Sequence, residues 1–287
     1  MSLLRRFSTI KIGGSAERVL WMSELSGRID DLPQPIRVLG NGSNVLMSET
    51  LRGTVILTRE ESLAAPEIVR EEPDEMQLIL PAGMFLPSLS KWTADRALTG
   101  AEFMVGVPGT IGGAVVQNAG ANEQKTSSLV VEVEAWDLES AALRWVSAAD
   151  AEFAYRSSRF QREKFLLRRV KLRLKRGEPE EIQARLKLNL DYRRQKTPFS
   201  RPSLGSMFTR IPKEDGDWWY PGQLIESVGL KGFRRGQTQI SEVHANYFVN
   251  LGGARFSEVL SLMDLAQERV LKETGLELRP EVQIWQD

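Results

Sequence analysis

The feature that most constrains this chain is a glycine-rich stretch at residues 105–120. It contains five glycines in sixteen residues, and Gly112 and Gly113 are adjacent. Glycine loses more backbone freedom on folding than any other residue, so this density is unfavourable in an ordinary helix or strand. It is favourable where another molecule lies against bare backbone, because a concave row of N–H groups suits phosphate oxygens. A structural turn is the alternative, but the length of the stretch favours a phosphate or cofactor cradle.

A second glycine loop, Gly-Asn-Gly-Ser-Asn, lies upstream at residues 40–44. Neither loop is one of the common nucleotide motifs. A P-loop needs a lysine directly after its last glycine, and no lysine stands there. The dinucleotide fingerprint needs a third glycine where this chain has Val45. Two separate loops predict instead a large diphosphate cofactor clamped between them.

Composition narrows the classes of protein. The chain has 287 residues, which predicts two or three domains. Its 38 basic and 38 acidic residues leave no net charge that would favour nucleic acid or an acidic membrane. It has no cysteine and one histidine, His244, which excludes disulfides, thiolate sites and histidine-rich metal centres. With no secretory signal and no apolar run of the ~18 residues that span a membrane, we expect a cytoplasmic protein without nucleic-acid, membrane or metal partners.

Local patterns predict a mixture of helices and strands. Ser15 is predicted to cap a short helix, and the polar residues 66–75 to form a junction or hairpin loop. Pro87 is predicted to open a helix that Gly100 caps. Further helices are expected from Pro179, around 223–228 and over 257–273, and strands at 36–39, 45–47, 54–57, 76–80, 131–136, 143–146, 169–175, within 239–249 and at 282–285.

The strand predicted at residues 169–175 alternates strictly between basic and apolar side chains. A basic row can bind nucleic acid, but such binding surfaces interleave aromatic side chains, and this row has none. With a balanced net charge, a solvated strand face is the better interpretation.

Three residues carry chemistry that a cofactor cradle would need. Arg156 lies among aromatic and hydroxyl side chains, and arginine is a natural bidentate partner for a carboxylate or phosphate. Ser206 follows Gly205, whose small size leaves room for a ligand. Glu281 enters an apolar segment, where a carboxylate must be paired, functional or at a rim. Taken singly, Arg156 is equally explained as a surface arginine and Ser206 as a turn serine.

Taken together and in order, these motifs resemble the UDP-N-acetylenolpyruvoylglucosamine reductase family of flavoenzymes. The compact length resembles the type II branch of that family. The resemblance spans nearly the whole chain, and its specificity lies in the ordered set of motifs. The matching segments are residues 39–44, 106–121, 155–160, 202–208, 229–232, 241–250 and 280–282.

The resemblance implies an α+β fold in three domains, at residues 1–65, 66–178 and 179–287. The first two would form an FAD-binding module of the vanillyl-alcohol-oxidase (PCMH) type, and the third a C-terminal α+β substrate-binding domain. FAD would be tightly bound between the two glycine loops. The implied cofactor-binding residues are Gly40, Asn41, Gly42, Ser43, Asn44, Pro108, Gly109, Thr110, Gly112, Gly113, Ala114, Asn118, Ala119 and Gly120.

The resemblance also implies a reaction. NADPH would reduce the flavin, which would pass a hydride to the enolpyruvyl group of a UDP-sugar and so give UDP-N-acetylmuramate for cell-wall synthesis. Arg156 would polarise the enolpyruvyl carboxylate, Glu281 would assist, and Ser206 would donate the proton at the α-carbon. The implied substrate-binding residues, on a weaker match, are Lys196, Arg210, His244 and Asn246, with Arg194 as a further candidate.

Two segments depart from the family pattern. Residues 209–212 replace the usual Lys-Asn-Pro after Phe208, which bears on contacts with the substrate diphosphate, and residues 122–125 change the edge of the flavin loop. Two other hypotheses remain at this point. One is a different flavin oxidase or dehydrogenase built on the same flavin domains, and the other is a non-catalytic protein that binds a flavin or a nucleotide sugar.

Overall fold

The computed structural model describes residues 4–25, 29–59 and 65–287, which divide into two compact units. We call the described residues of Arg18–Asn41 and Gly53–Arg193 the central unit. The C-terminal unit combines Arg194–Asp287 with Gly42–Arg52 and the described N-terminal residues up to Glu17. Each unit is described by itself, and the three-domain division stays a prediction.

The strands of the described residues follow in chain order. They are β1 (Ser15–Trp21), β2 (Ile36–Leu39), β3 (Val45–Met47), β4 (Thr50–Leu57), β5 (Glu67–Glu71), β6 (Glu75–Pro81), β7 (Leu98–Thr99), β8 (Gly120–Ala121), β9 (Gln124–Lys125), β10 (Val130–Asp137), β11 (Ala142–Ser147), β12 (Phe165–Arg176), β13 (Ser203–Ser206), β14 (Ile211–Pro212), β15 (Trp218–Trp219), β16 (Arg234–Arg235), β17 (Thr238–Ile240), β18 (Tyr247–Asn250) and β19 (Gln283–Trp285).

The helices are fewer, and none in the described residues is both long and apolar enough to cross a membrane. The α-helices are α1 (Leu86–Ala94), α2 (Ile111–Val116), α3 (Arg159–Arg162), α4 (Pro179–Lys196), α5 (Pro221–Ser227) and α6 (Phe256–Thr274). Short 3₁₀ turns occur at Leu4–Phe7, Met22–Glu24, Ile29–Asp31, Glu102–Met104 and Thr126–Ser128.

The central unit is organised around an antiparallel sheet of order β11-β10-β12-β6-β5, with β7 paired to the end of β12. The alternation predicted for residues 169–175 is confirmed: Val170, Leu172 and Leu174 are buried in the core of the unit. Helices α1 and α2 contribute Leu89, Val115 and other apolar side chains to the same core. The sheet is therefore half-buried, with one apolar and one polar face.

Two basic side chains of the predicted alternating row have acidic partners on β10. Arg169 donates from two nitrogens to the two carboxylate oxygens of Glu134, at 2.8 and 2.7 Å, and Lys171 donates to Glu132 at 2.9 Å. The hydrogen bond from Arg169 lowers the pKa of Glu134, against the opposing effect of burial. These cross-strand pairs give Arg169 and Lys171 a structural role in the sheet, and Arg173 and Lys175 are exposed, in agreement with the interpretation as a solvated strand face.

The C-terminal unit has a four-stranded antiparallel sheet of order β13-β18-β17-β16 and a parallel pair of β19 and β3. The long helix α6 buries Val259, Leu262, Ala266 and other residues at helical spacing against this unit's core. It ends where predicted, at Gly275, whose φ of 72° is the left-handed conformation that glycine adopts readily.

Two predicted elements are wrong. Ser15 does not cap a helix: it begins β1, and its N–H donates to Glu49 O at 3.0 Å. Backbone pairing with the segment before β4 outweighs the local helical spacing, as tertiary context often does. The polar residues 66–75 are not only a loop, since β5 occupies Glu67–Glu71 as an exposed edge strand. Charged side chains suit a strand edge that faces water.

The predicted cap of α1 is also wrong. The helix ends at Ala94, and Gly100 lies beyond β7 with a φ of 111°, in a turn where its N–H donates to Glu102 Oε2 at 2.6 Å. The remaining predicted helices and strands are present with shifted ends, and the strand expected within residues 239–249 is resolved as parts of β17 and β18.

Candidate active site

In the central unit the two predicted loops meet. A Cβ on Gly40 would lie 2.5 Å from Thr110 Oγ1, so the contact requires glycine at position 40. Asn41 Nδ2 donates to Pro108 O at 2.9 Å, and Arg59 donates to Asn41 Oδ1 at 3.3 Å. The start of the first loop is therefore fastened to residues 108–110 of the second.

The glycine pair lies in the short helix α2, and its two members differ in surroundings. Gly112 packs against the turn after β6: its Cβ would lie 3.0 Å from both Ala82 Cβ and Ala82 O. Gly113 is exposed, and among the described residues a Cβ there would approach only Thr110 Oγ1, at 3.4 Å. Gly112 is therefore explained by packing, whereas the described part of the chain gives no steric reason for Gly113.

The backbone N–H groups of this region are not all available to a ligand. Ile111 donates to Met84 O at 2.9 Å and Gly112 to Ala82 O at 2.8 Å. Among the described residues, no hydrogen bond uses the N–H of Asn41 or of Thr110, and Thr110 is only 2% exposed. A buried amide without an acceptor is costly, so a bound acceptor is expected there. The cradle thus fits a diphosphate. It offers fewer backbone N–H donors than its number of glycines suggests, because some of these amides already bind the chain.

The remainder of the first loop belongs to the C-terminal unit. Gly42 has a φ of 58°, and a Cβ there would lie 2.0 Å from Phe7 O. Thr9 N–H donates to Gly42 O at 3.1 Å. Asn44 Nδ2 donates to the backbone oxygen of Glu281 at 3.0 Å. Close backbone packing explains Gly42, and Asn44 holds the segment that carries a predicted catalytic residue.

Arg156 lies in a tight turn that docks on the C-terminal end of the glycine stretch. Asn118 Nδ2 donates to Ala154 O at 2.9 Å, and Ser158 Oγ donates to Val116 O at 2.8 Å. Arg156 Nη2 donates to Gly120 O at 3.1 Å. Its φ of 52° is rare for a residue with a side chain, and such strain persists where the surroundings fix it, often at functional sites.

The second arginine of this motif has a different role. Arg159 Nε donates to both carboxylate oxygens of Glu163 at 2.8 Å, which is a helical i,i+4 pair. That hydrogen bond raises the pKa of Arg159. Of the two, Arg156 is the one directed to the glycine stretch. The sequence predicts a cofactor role for Asn118 and assigns none to Ser158, whereas both side chains fasten this turn to the glycine stretch. The sequence signal for this role is the presence of polar residues on either side of the turn.

In the C-terminal unit, Ser206 and Glu281 lie on adjacent segments. Glu281 N–H donates to Met207 O at 2.8 Å, and Phe208 forms a β-bridge with Pro280. On its other side the Ser206 strand pairs with β18, through a bulge between Ser203 and Ser206. Gly205 has a φ of 80° within that bulge. Bulges change the direction of a side chain and are frequent beside active sites.

Of the two predicted substrate residues on the neighbouring segment, Asn246 is buried and His244 is half-buried. Asn246 makes two side-chain hydrogen bonds to the backbone of Phe208, and its N–H donates to His244 Nδ1 at 3.1 Å. The Nδ1 atom is thus an acceptor, which puts the proton of neutral His244 on Nε2. Burial, and then the charges of Lys196 and Lys231, lower the pKa of His244.

The departure at residues 209–212 leads into a hairpin of β14 and β15 rich in aromatic side chains. The guanidinium of Arg210 lies 5.1 Å from the ring of Trp218 and 5.9 Å from that of Tyr220. Lys196, at the end of α4, is exposed. The other departure, at residues 122–125, is a tight hairpin of β8 and β9 in which Asn122 and Glu123 both have positive φ.

Comparison with known proteins defines first the class of protein. Residues 27–147 match a family model described as an FAD binding domain. Residues 197–285 match a second model, described as the C-terminal domain of UDP-N-acetylenolpyruvoylglucosamine reductase. The chain is a flavoprotein oxidoreductase, and its FAD-binding match contains both glycine loops.

Whole-chain relatives carry the same name. The UDP-N-acetylenolpyruvoylglucosamine reductase of Rubrobacter xylanophilus is 38% identical over 98% of this chain and 93% of its own. That of Thermotoga maritima is 35% identical over 97% of this chain and 95% of its own. The crystal structure of the Thermus caldophilus reductase matches with a TM-score of 0.79 and 31% identity, covering 99% of this chain and 97% of that one.

The chain belongs to the UDP-N-acetylenolpyruvoylglucosamine reductase family. It uses FAD and NADPH to reduce the enolpyruvyl group of a UDP-sugar precursor of peptidoglycan, which gives UDP-N-acetylmuramate. The sequence-based predictions of the family, the α+β flavin-binding fold, the enzyme class and the cofactors are confirmed.

Proposed function

We propose that Arg156, Ser206 and Glu281 carry the enolpyruvyl reduction in this chain. The observation that supports it most is the pairing of the Ser206 and Glu281 segments, through Glu281 N–H and Met207 O at 2.8 Å. Two segments far apart in the sequence pair here, and Ser206 lies at the end of a bulge that interrupts the regular ladder with β18. A chance resemblance at single positions gives no reason for this arrangement.

We propose that both glycine loops bind the FAD. The residues assigned to it are Gly40, Asn41, Gly42, Ser43, Asn44, Pro108, Gly109, Thr110, Gly112, Gly113, Ala114, Asn118, Ala119 and Gly120. This assignment is supported most directly by two observations on the described residues: no hydrogen bond among them uses the amides of Asn41 and Thr110, and Gly113 has an exposed face. Gly112, Asn118 and Gly120 contribute by shaping the loop, because their contacts are with the chain. When bound, FAD supplies the hydride chemistry of the reaction.

In this proposal Arg156 binds the carboxylate of the enolpyruvyl group. Reduction of the double bond places negative charge on that carboxylate, and a fixed guanidinium stabilises the charge without reorganising. The turn of residues 154–157 is fastened to the glycine stretch at three points, so the side chain starts from a restricted position. Preorganisation of this kind is what electrostatic catalysis requires.

Ser206 then donates a proton to the α-carbon of the substrate, and Glu281 assists in stabilising the charge. A serine hydroxyl is a weak acid, so it can act only on a strongly basic carbon such as that of an enolate. General acids must lie within hydrogen-bonding distance of the atom they protonate, which makes the position of the Ser206 strand decisive.

The anionic UDP group requires further contacts, for which we propose Lys196, Arg210 and His244. Lys196 and Arg210 are exposed cations, and neutral His244 keeps a donor on Nε2. The aromatic rings beside Arg210 restrict its guanidinium. We place the reaction in the cytoplasm, where NADPH and nucleotide sugars are available.

The test is an anaerobic titration of the purified holoenzyme. The protein should be yellow, NADPH should bleach its flavin, and the enolpyruvyl UDP-sugar should restore the colour with formation of UDP-N-acetylmuramate. Reduction by NADPH without reoxidation by this substrate would indicate another flavin dehydrogenase. Binding of both ligands without any change in flavin absorbance would indicate a non-catalytic binding protein.

A further inference from the structure

Asn246 has an unusual set of contacts for a residue predicted to bind substrate. It is 4% exposed, and its side chain makes two hydrogen bonds to Phe208, which follows the end of β13 at Ser206. Phe208 N–H donates to Asn246 Oδ1 at 3.0 Å, and Asn246 Nδ2 donates to Phe208 O at 2.9 Å. The backbone oxygen of Asn246 accepts from Met207 N–H at 2.8 Å. One residue therefore binds the two residues that follow Ser206.

The strand needs these hydrogen bonds from Asn246 because its pairing with β18 is irregular between Ser203 and Ser206. The regular ladder with β18 is interrupted by the bulge, which leaves Ser206 paired to Tyr247 and Ser203 paired to Val249. No atom of the described residues lies within 4 Å of the place that a Cβ on Gly205 would take, so packing around that position does not fix the backbone there. The contacts of Asn246 supply the restraint on the other side of Ser206.

We propose that Asn246 is a positioning residue that holds the Ser206 hydroxyl in place for proton donation. This inference rests on the proposed role of Ser206 as the proton donor. Both polar groups of the Asn246 amide are occupied by Phe208, which favours a role through the strand over direct binding of substrate. A displacement of about 1 Å at a reacting group can cost about a hundredfold in rate.

The chain offers a matched control on the same strand. Asn250 is 3% exposed, and its side chain also brackets backbone groups. Its Nδ2 donates to Ile10 O at 2.9 Å, and its Oδ1 accepts from Gly252 N–H and Ala254 N–H at 2.8 and 3.1 Å. None of these contacts involves residues 206–208. Replacing Asn250 removes three side-chain hydrogen bonds, against two for Asn246, without removing any contact to residues 206–208.

The experiment compares half-reactions by stopped-flow flavin absorbance, in Asn246→Ala, Asn246→Asp and Asn250→Ala. We expect Asn246→Ala to slow reoxidation by the enolpyruvyl substrate by about 10- to 100-fold. Its flavin content, its reduction by NADPH and its KM for the substrate should stay near those of the parent. Asn246→Asp keeps an acceptor for Phe208 N–H but loses the donor to Phe208 O, so it should also slow reoxidation, and it gives a second variant if the alanine protein does not fold.

A double-mutant cycle separates positioning from general damage. In the Ser206→Ala background, Asn246→Ala should slow reoxidation by less than about twofold, because there is no hydroxyl left to position. An undiminished effect in that background, or an equal slowing by Asn250→Ala, would overturn the proposal while leaving the role of Ser206 intact. If Ser206→Ala alone reoxidises normally, the proposed function of Ser206 fails, and this inference fails with it.

Discussion

The glycine cradle of the central unit and the Ser206–Glu281 pair of the C-terminal unit are built by opposite means. The cradle joins short loops through backbone packing, as where Gly40 lies against Thr110 and Gly112 against Ala82. The pair joins segments that are distant in sequence through strand pairing and buried asparagine side chains. One site depends on the absence of side chains, and the other depends on side chains that hold the backbone.

This difference predicts different responses to mutation. A side chain added to the cradle should exclude the ligand and leave the fold intact where the chain leaves room. A side chain removed beside Ser206 should leave the flavin in place and misdirect one catalytic step. The predictions below test that division, from the largest expected effect to the smallest.

The largest effect is expected for Gly113→Val. The structure has room for a Cβ there, 3.4 Å from Thr110 Oγ1, so the protein should fold. The isopropyl group would occupy the open face of the cradle, and the protein should purify colourless, with loss of all flavin chemistry. The measurement is flavin absorbance per protein after denaturation, alongside thermal unfolding of the apoprotein.

Gly112→Ala is the matched control for this variant. Its Cβ would meet Ala82 at 3.0 Å, so this change should lower the stability of the fold and not selectively exclude the flavin. A Gly113→Val protein that retains stoichiometric FAD would contradict the cradle assignment.

A smaller effect is expected for Arg156→Ala. Removing one preorganised charged donor typically costs about 3 kcal/mol or more, which is roughly a hundredfold in rate. The loss should fall on reoxidation by the enolpyruvyl substrate, while flavin content and reduction by NADPH stay near normal. Arg159→Ala removes a neighbouring arginine that is paired with Glu163, and it should change the reoxidation rate little. Equal losses in the two variants would refute a specific role for Arg156.

The smallest effect concerns His244 and pH. Burial lowers its pKa in the folded protein, whereas an unfolded histidine has a pKa of about 6.5. Above that pH both states are neutral and the contribution to stability is complete. As the pH falls below it, the unfolded chain takes up the proton first, so the free energy of unfolding decreases. Denaturant unfolding between pH 5 and 8 should show this slope in the parent and a weaker one in His244→Gln. Identical slopes would contradict a half-buried histidine with a lowered pKa.

The two glycine loops could be located from the sequence more directly than the pairing of the Ser206 and Glu281 segments, and the roles of both sets of residues stay predictions. Glycine density is a local signal, and both loops, the alternation of β12 and the end of α6 at Gly275 were recognisable from short stretches. The same signal could not separate Gly112 from Gly113, because the neighbour of Gly112 is Ala82 on another element. Glycine density also overstated the number of amides available to a ligand, because the N–H groups of Ile111 and Gly112 already donate to Met84 O and Ala82 O.

The arrangement around Ser206 could be predicted only as a set of residue types. No residue close to Ser206 or Glu281 in the sequence indicates that their segments pair. The contacts of Asn246 with Phe208 depend on how the segment leading into β18 lies beside the segment that follows Ser206. The wrong helix at Ser15 has the same origin, since pairing with Glu49 O overrides a local pattern. The residues of a single segment do not determine which distant segment it pairs with, so this pairing could not be predicted from local patterns.

The most direct test of the account is the reaction of Ser206→Ala, followed by stopped-flow flavin absorbance in each half-reaction separately. Reduction by NADPH should proceed at the parent rate, because it requires no proton from Ser206. Reoxidation by the enolpyruvyl substrate should slow by several orders of magnitude, and Ser206→Cys should recover part of that rate, since a thiol is a stronger acid, with a pKa of about 8.5. Equal slowing of both half-reactions would show that Ser206 is structural and would contradict the division of labour between the two sites.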